Sequence, residues 1–371
     1  MLNEIISNLV VKLNESLDER DIGDPYFDKK EYHTYPFVKG NFHKIDGYTA
    51  SRKMVFIDGG NQELLGAPNF SIQLNRIYFN IFKGTKRITQ TRLPHKIEFF
   101  SITYSILKND KIQYETFIFP INEEWKDYLP SQSDLSFSSK DRTVTSGTMR
   151  DDMQRVASIS RRFAEWKYSS IVVERLLTEN DILIIDGTLQ TAFTNEDKYI
   201  GRVKENTTKN GVIFSGLSKS SSLFTTTGLS LLGSLFKLTD DWKLDFGTWY
   251  YYPIAEGLVS GHSAIIFILK LHEKANHIFR YEVDKEQVKR MNEAELYDVF
   301  SNLAAVSMDA TFPGYPYGLI DADDNARVRT NEIGTYRIMV LSELSKRGLW
   351  NKFARHIRST DAHEILNLLK E

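Results

Sequence analysis

Two short phrases carry the residue types that could do chemistry. Met54-Val-Phe-Ile-Asp58-Gly59-Gly60 and Ile182-Leu-Ile-Ile-Asp186-Gly187 each run an apolar strand into Asp-Gly. A strand that ends on a carboxylate delivers an acid to the rim of a sheet, and the glycine leaves room for a turn or for close approach of a ligand. If the two strands are neighbours, their acids repel unless a cation sits between them, and a divalent metal is the usual partner. A third acid is expected from the helix before the second strand. Glu165 fits best: it follows Arg161-Arg162, adjoins Trp166 on an apolar stripe, and lies 21 residues before Asp186. Glu174 near the helix end, and Asp151 and Asp152 at its start, are its rivals; acids in a first turn commonly complement the helix dipole. Three acids on one rim suit Mn²⁺ or Mg²⁺, which take oxygen ligands. Two such ions about 3.5–4 Å apart can hold the attacking water and the leaving oxygen of a phosphodiester. The same phrase also writes ordinary strand-to-loop turns. It is the pair, at matching strand ends, that points to a metal centre.

Other segments carry weaker signals. Lys219, just past the strand 212–214, could reach the same rim and hold a phosphate; a solvated loop lysine reads equally well. Phe312-Pro-Gly-Tyr-Pro-Tyr-Gly-Leu-Ile-Asp-Ala-Asp-Asp324 fixes a tight turn around Tyr315 and Tyr317, followed by three acids at a helix start. Those tyrosines could stack on a base or touch a phosphate, or simply anchor the turn. Trp249-Tyr-Tyr-Tyr-Pro253 is a stacking platform or an aromatic core strand. The eight histidines, His33, His43, His95, His262, His272, His277, His356 and His363, have no metal-ligand spacing, and there is no P-loop, no GxGxxG after a strand and no GxSxG.

The elements that must position these residues follow from periodicity. Leu2, Ile5, Ile6, Leu9, Val10, Leu13 and Leu17 recur at helical spacing, an amphipathic opening helix. A polar, Tyr-rich connector leads to the strand ending at Asp58. Residues 69–83 alternate, and runs at 96–107 and 111–119 flank a hairpin turn at Lys108-Asn-Asp-Lys111. Residues 121–149 are Ser-, Asp- and Thr-rich and read as a mobile loop. A long helix is expected from near Met149 past Leu176, with Met153, Val156, Ile159, Phe163 and Trp166 as its buried stripe. Strand 181–186, a helix over 190–208 and strand 212–214 follow. The segment 218–234 reads as a loop, with a short helix at 229–236. Strands at 262–271 and 278–284, a helix at 285–304 and a largely helical 324–370 complete the chain. The order strand, meander, helix, strand, helix, strand predicts an α/β fold: a ribonuclease-H-like mixed sheet flanked by helices, with additional helical elements.

Composition bounds the rest. The 371 residues suffice for one large domain or two, and 41% hydrophobic with 26% charged is an ordinary globular balance. A net charge of −2 gives no global basic field for nucleic acid, so such a site would need a local cationic groove or bound metals. The absence of cysteine excludes disulfides, thiol catalysis and cysteine-ligated metals. No secretion signal opens the chain and its apolar runs are far short of a membrane span, so a cytoplasmic location is expected.

The set of motifs resembles the NurA family of archaeal and bacterial DNA nucleases. The resemblance is carried by Phe56-Ile-Asp-Gly59, Arg161-Arg162 with Glu165, Leu183-Ile-Ile-Asp-Gly-Thr-Leu189 and Gly216-Leu-Ser-Lys219. It continues through Phe267-Ile-Leu-Lys-Leu271, Phe279-Arg-Tyr-Glu282, Gly314-Tyr-Pro-Tyr and Leu319-Ile-Asp-Ala322, in the family's order. It implies a single domain over 1–371, with its core at about 50–325, an N-terminal helix at 1–20 and a C-terminal helical region at 324–371. It further implies a Mn²⁺-dependent (or Mg²⁺-dependent) nuclease acting on single-stranded DNA and, 5′→3′, on duplex ends. The family works as a homodimer with the hexameric ATPase translocase HerA in end resection, without a membrane. By position, Asp58, Glu165 and Asp186 are the implied metal ligands and Tyr315 sits at the site. Two residues depart from the family's late motif: Gly318 stands where a proline is usual and Asp323 where a histidine is usual. Asp323 is then a further anionic metal ligand or the mark of a weakened site. Asp58, Glu165, Asp186, Tyr315, Asp323 and Lys219 are the expected catalytic set, and the first three acids with Asp323 the metal set. The rival reading is a non-catalytic DNA clamp or translocase adaptor with a degenerate centre. An actin-like phosphotransferase also uses strand-terminal Asp-Gly, but the chain has no nucleotide-phosphate loop.

Overall fold

Alternating and continuous apolar runs become the strands that carry the site. A computed structural model describes residues 2–16, 21–146, 149–150 and 152–357. The longer elements, in chain order, are α1 (Leu2–Ser16), β1 (Lys53–Ala67), β2 (Phe70–Lys83), β3 (Lys96–Lys108), β4 (Lys111–Pro120), α2 (Met153–Leu176), β5 (Ile182–Asp186), α3 (Glu196–Asn210) and β6 (Ile213–Ser218). They continue with α4 (Leu231–Asp241), β7 (Trp249–Gly257), β8 (Ala264–Lys270), β9 (Phe279–Asp284), α5 (Glu293–Ala305), α6 (Tyr317–Ala326) and α7 (Thr330–Lys346). The chain divides into two compact units: one comprises Met1–Ser51, Asp186–Gln190 and Ser215–Tyr317, the other Arg52–Ile185, Thr191–Phe214 and Gly318–Glu371.

In the second unit β1, β2, β3 and β4 form an antiparallel meander. The β3–β4 turn places Asn109 and Asp110 at φ 49° and 57°, the left-handed pair that a two-residue hairpin requires. Helix α2 packs on β1, β2 and β3. Asp152 caps it by accepting from Gln154 N–H, and the expected stripe from Met153 to Trp166 is buried. Strand β5 then returns parallel to β1, with Ile182↔Met54 through Ile185↔Ile57 in register. Its four apolar residues are all buried, as a strand covered on both faces requires. Helix α3 ends at Gly211, whose φ of 65° supplies the left-handed cap. The strand order β6-β5-β1-β2-β3 is the ribonuclease-H-like arrangement: first strand central, meander to one side, crossover strands to the other. The fold is a mixed α/β sheet flanked by helices.

The first unit carries the antiparallel run β6, β9, β8 and β7. Its core gathers Phe42, Leu231, Leu235, Trp249, Tyr251 and Ile266. The aromatic run 249–252 is therefore a core strand: Trp249, Tyr250 and Tyr251 are buried. None of the apolar residues of α1 is buried.

Several expectations change. The strand expected to end at Asp58 runs on to Ala67, because Asp58, Gly59 and Gly60 stay paired with Tyr78, Ile77 and Arg76 of β2. The Tyr-rich connector adds short strands at Tyr32–Thr34 and Phe42–Lys44, which pair with β7. The expected mobile loop 121–149 holds three short 3-10 helices and a strand, Ser136–Ser138, paired with β4. Helix α2 begins at Met153 rather than near Met149, where the Asp152 cap sets its start. Gly216, Leu217 and Ser218 extend β6 by pairing with β9. The acids at 321, 323 and 324 lie inside α6, whose first turn is formed by Tyr317 itself. Leu17, Asp151, His363 and the helical expectation beyond residue 357 lie outside the described residues.

Candidate metal centre

The register of β5 on β1 places the two strand acids. Ile185 pairs with Ile57, so the next residue on each strand is an aspartate, Asp186 and Asp58. Alternation along β1 then sorts its neighbours onto two faces. A Cβ on Gly318 of α6 would meet the Phe56 ring at 2.1 Å, and one on Gly60 would meet the Ala326 carbonyl oxygen at 2.3 Å. Phe56, Asp58 and Gly60 thus share the face covered by α6. A Cβ on Gly59 would instead meet Arg161 Cδ at 2.7 Å and Glu165 Oε2 at 2.9 Å. That face belongs to α2.

The consequence is a cluster that includes Asp323. One carboxylate oxygen from each of Asp58, Asp186 and Asp323 lies within 4.8 Å of the others, all three residues half-buried. Glu165, buried on α2, approaches the glycine beside Asp58 from the opposite face, and its Oε2 is 2.5 Å from Arg161 Nη1. Its rivals are elsewhere: Asp152 caps the helix, and Glu174 is exposed nine residues on, about 13 Å along the axis. Lys219 reaches the rim, with Nζ 2.6 Å from Asp186 Oδ2. Asp323 Oδ2 accepts from Arg327 Nη2 at 2.6 Å. Tyr315 is buried in the turn before α6, its ring against Phe279 and Phe312 at 5.1 and 5.4 Å.

Sequence reasoning missed the residues that hold α6 in place. Asn80 of β2 donates to the Gly318 carbonyl and to Asp321 Oδ2, each at 2.7 Å. Arg87 pairs with the same Asp321 carboxylate. Tyr78, directly opposite Asp58 on β2, donates to Asp321 Oδ2 at 3.4 Å. Burial, then the Asp321 charge, push the Tyr78 phenol above its ordinary pKa, which keeps it a donor. The signal available was a polar residue, Asn80, inside an apolar alternating strand. A second missed group is the buried pair Glu282 and His262, with the partly exposed Arg280, behind the loop that follows Asp186. Its signal was an acid in the strand Phe279-Arg-Tyr-Glu282.

The donor set tests the implied metal. It is all oxygen, anionic and half-buried, which fits Mg²⁺ or Mn²⁺ and not a soft-ligand ion. An acidic cluster that could bind a divalent metal, with one aspartate within β1, one at the end of the parallel neighbour β5 and one on α6, sits in a ribonuclease-H-like sheet. The model of the NurA domain matches residues 52–328, and the chain belongs to the NurA family. Membership implies a nuclease-family function. Comparison with curated proteins gives no match. Among solved structures the chain is similar to A. aeolicus Argonaute, at 9% identity and a TM-score of 0.28, covering 75% of this chain and 28% of that one. It is also similar to the C-terminal lobe of a budding yeast Argonaute, at 10% identity and a TM-score of 0.28, covering 73% of this chain and 45% of that one. The chain thus spans less than half the length of either, and likenesses this distant carry no functional weight. No helix among the described residues is long and apolar enough to cross a membrane.

Proposed function

We propose that this protein is a divalent-metal-dependent deoxyribonuclease that hydrolyses phosphodiester bonds of single-stranded DNA and of duplex ends, 5′→3′. The observation that carries the reading is the parallel register of β5 on β1, which sets Asp186 beside Asp58 where Asp323 joins them. In this reading Asp58, Asp186 and Asp323 hold Mn²⁺ or Mg²⁺. Glu165 serves as a fourth acid, reaching past the bare Cα of Gly59. When bound, the metal supplies charge neutralisation and an activated water. Lys219 exchanges its Asp186 partner for a substrate phosphate, and its charge stabilises the anion that develops there. Tyr315 acts through the turn that leads into α6.

The wider setting rests on the family resemblance: a cytoplasmic homodimer working with a HerA-type hexameric ATPase in DNA end resection during double-strand break repair. The exposed Leu2, Ile5, Leu9 and Leu13 of α1 support a surface that a partner would cover. The test is cleavage of DNA labelled at either end, single-stranded or duplex, with Mn²⁺, Mg²⁺ or EDTA, with and without a translocase. Metal-dependent shortening from the 5′ end is expected. Binding without cleavage under every condition would favour the clamp.

A further inference from the structure

The segment after Asp186 is fixed by two contacts from the same unit. Gly187, at φ 122°, donates its N–H to the Leu217 carbonyl at 2.8 Å. A Cβ on Gly216 would meet the Gly187 carbonyl oxygen at 2.5 Å, so backbone packs directly on backbone there. Two residues on, Leu189 N–H donates to Glu282 Oε2 at 2.8 Å. Glu282 has no exposed surface. Its Oε2 is also 2.8 Å from His262 Nε2, and its Oε1 is 2.6 Å from Arg280 Nη2. His262, equally buried, places Nδ1 2.7 Å from the Tyr32 hydroxyl. A chain of polar groups therefore runs from the half-buried Tyr32 through the buried His262 and Glu282 to the backbone of the segment that begins with Asp186.

A buried carboxylate is costly unless paired and hydrogen-bonded. Core packing alone would be served as well by an apolar side chain at 282. The carboxylate instead pairs with Arg280 through Oε1 and shares Oε2 between His262 and one backbone N–H, three residues from an acid of the cluster. Ligand carboxylates are commonly held by such outer partners, whose loss weakens metal affinity about 10–100-fold. We propose that Glu282 is a positioning residue for the metal centre: by gripping Leu189 N–H it fixes the path of residues 186–189 and hence the Asp186 carboxylate, with His262 and Tyr32 holding Glu282 in turn. This rests on the reading of Asp186 as a metal ligand.

The test is Mn²⁺ binding by calorimetry, without DNA, on wild type, Asp186→Asn, Glu282→Gln and Glu282→Asp, with a thermal melt of each metal-free protein. Glu282→Gln keeps the length and an acceptor for Leu189 N–H but loses the charge. Glu282→Asp keeps the charge and withdraws the acceptor. Positioning predicts Mn²⁺ binding weakened tenfold or more in Glu282→Asp and less than threefold in Glu282→Gln, whatever the order of their melting temperatures. A purely structural charge pair predicts the opposite order of affinities, and that result, or wild-type affinity in both, overturns the proposal. Wild-type binding by Asp186→Asn would instead overturn the underlying metal reading. Amide exchange in the wild type decides independently of whether any variant folds. A protected Leu189 N–H supports the grip, and exchange at the rate of an open loop refutes it.

Discussion

At the scale of single residues, Gly59 and Asp58 divide the labour of one strand. Asp58 faces α6 and meets Asp323, while the missing side chain at 59 lets Glu165 come up against the backbone from α2. Gly59→Ala would place a Cβ against the movable ends of Arg161, Glu165 and Ile77, so stability should fall by only about 1 kcal/mol. Displacement of Glu165 should cost far more in rate, about 100-fold, since a 1 Å misplacement of a catalytic group can do so. Urea denaturation beside steady-state cleavage separates the two effects; equal activity in the variant would remove Glu165 from the machinery. Asp58 itself makes a binding prediction. Mn²⁺ at a hundredfold excess over Kd should stabilise wild type by about 2.7 kcal/mol and Asp58→Asn not at all, read from melts with and without the ion. At this scale the sequence was most legible where acids follow apolar strands. Asp58, Asp186 and Lys219 could be placed from their strands. The separation of Glu165 from the aspartate cluster could not, because it depends on which face of β1 each residue takes once the strand continues through two glycines.

Among the elements, α6 is the one whose seat decides the centre. It is pressed onto β1 at Gly318 over Phe56 and at Ala326 over Gly60, and pinned by Asn80 and Arg87 through Asp321. Glycine at 318 is thus intelligible: no side chain fits between that Cα and the buried Phe56 ring. Gly318→Ala should destabilise the protein by about 1–3 kcal/mol and weaken Mn²⁺ binding by shifting Asp323. Gly334→Ala, in α7 with open space around it, should stabilise by about 0.5–1 kcal/mol. Chemical denaturation of the pair checks this, and equal effects would mean that α6 is not packed as described. The same element shows why parts of the fold were hidden. Glycine was read as the end of β1, yet pairing with β2 holds fourteen of its residues from Lys53 to Ala67, with one register shift between Glu63 and Leu65. The Ser- and Thr-rich 121–149 segment lacks periodicity, but it forms 3-10 turns and an added strand against β4. Local composition does not record a tertiary partner.

Over the whole molecule, 47 basic residues against 49 acidic ones leave no net field to attract DNA. The acids of the cluster would repel a phosphate backbone unless a divalent ion covers them. Affinity for DNA should therefore depend on the metal: fluorescence anisotropy with a short single strand is expected to show at least tenfold weaker binding in EDTA than in a non-hydrolysing metal such as Ca²⁺. Binding that ignores the ion would place the DNA on another surface. The chain order of strand, meander, helix, strand, helix and strand was readable, because the alternating and continuous apolar runs mark the strands and the stripe from Met153 to Trp166 marks α2. The division of the chain into two units was not, since boundaries fall inside β5, β6 and α6.

On the proposed function, Asp58 and Asp186, set side by side by the register of two parallel strands, run a metal-dependent cleavage of DNA. The most direct measurement is cleavage of end-labelled single-stranded DNA in Mn²⁺ by wild type, Asp58→Asn and Asp186→Asn, each shown to melt cooperatively. On that reading wild type is expected to cleave, EDTA to silence it, and both variants to lose at least about 1,000-fold in rate, or about 4 kcal/mol of transition-state stabilisation. Cleavage that persists in either folded variant, with the same metal dependence as wild type, would contradict it.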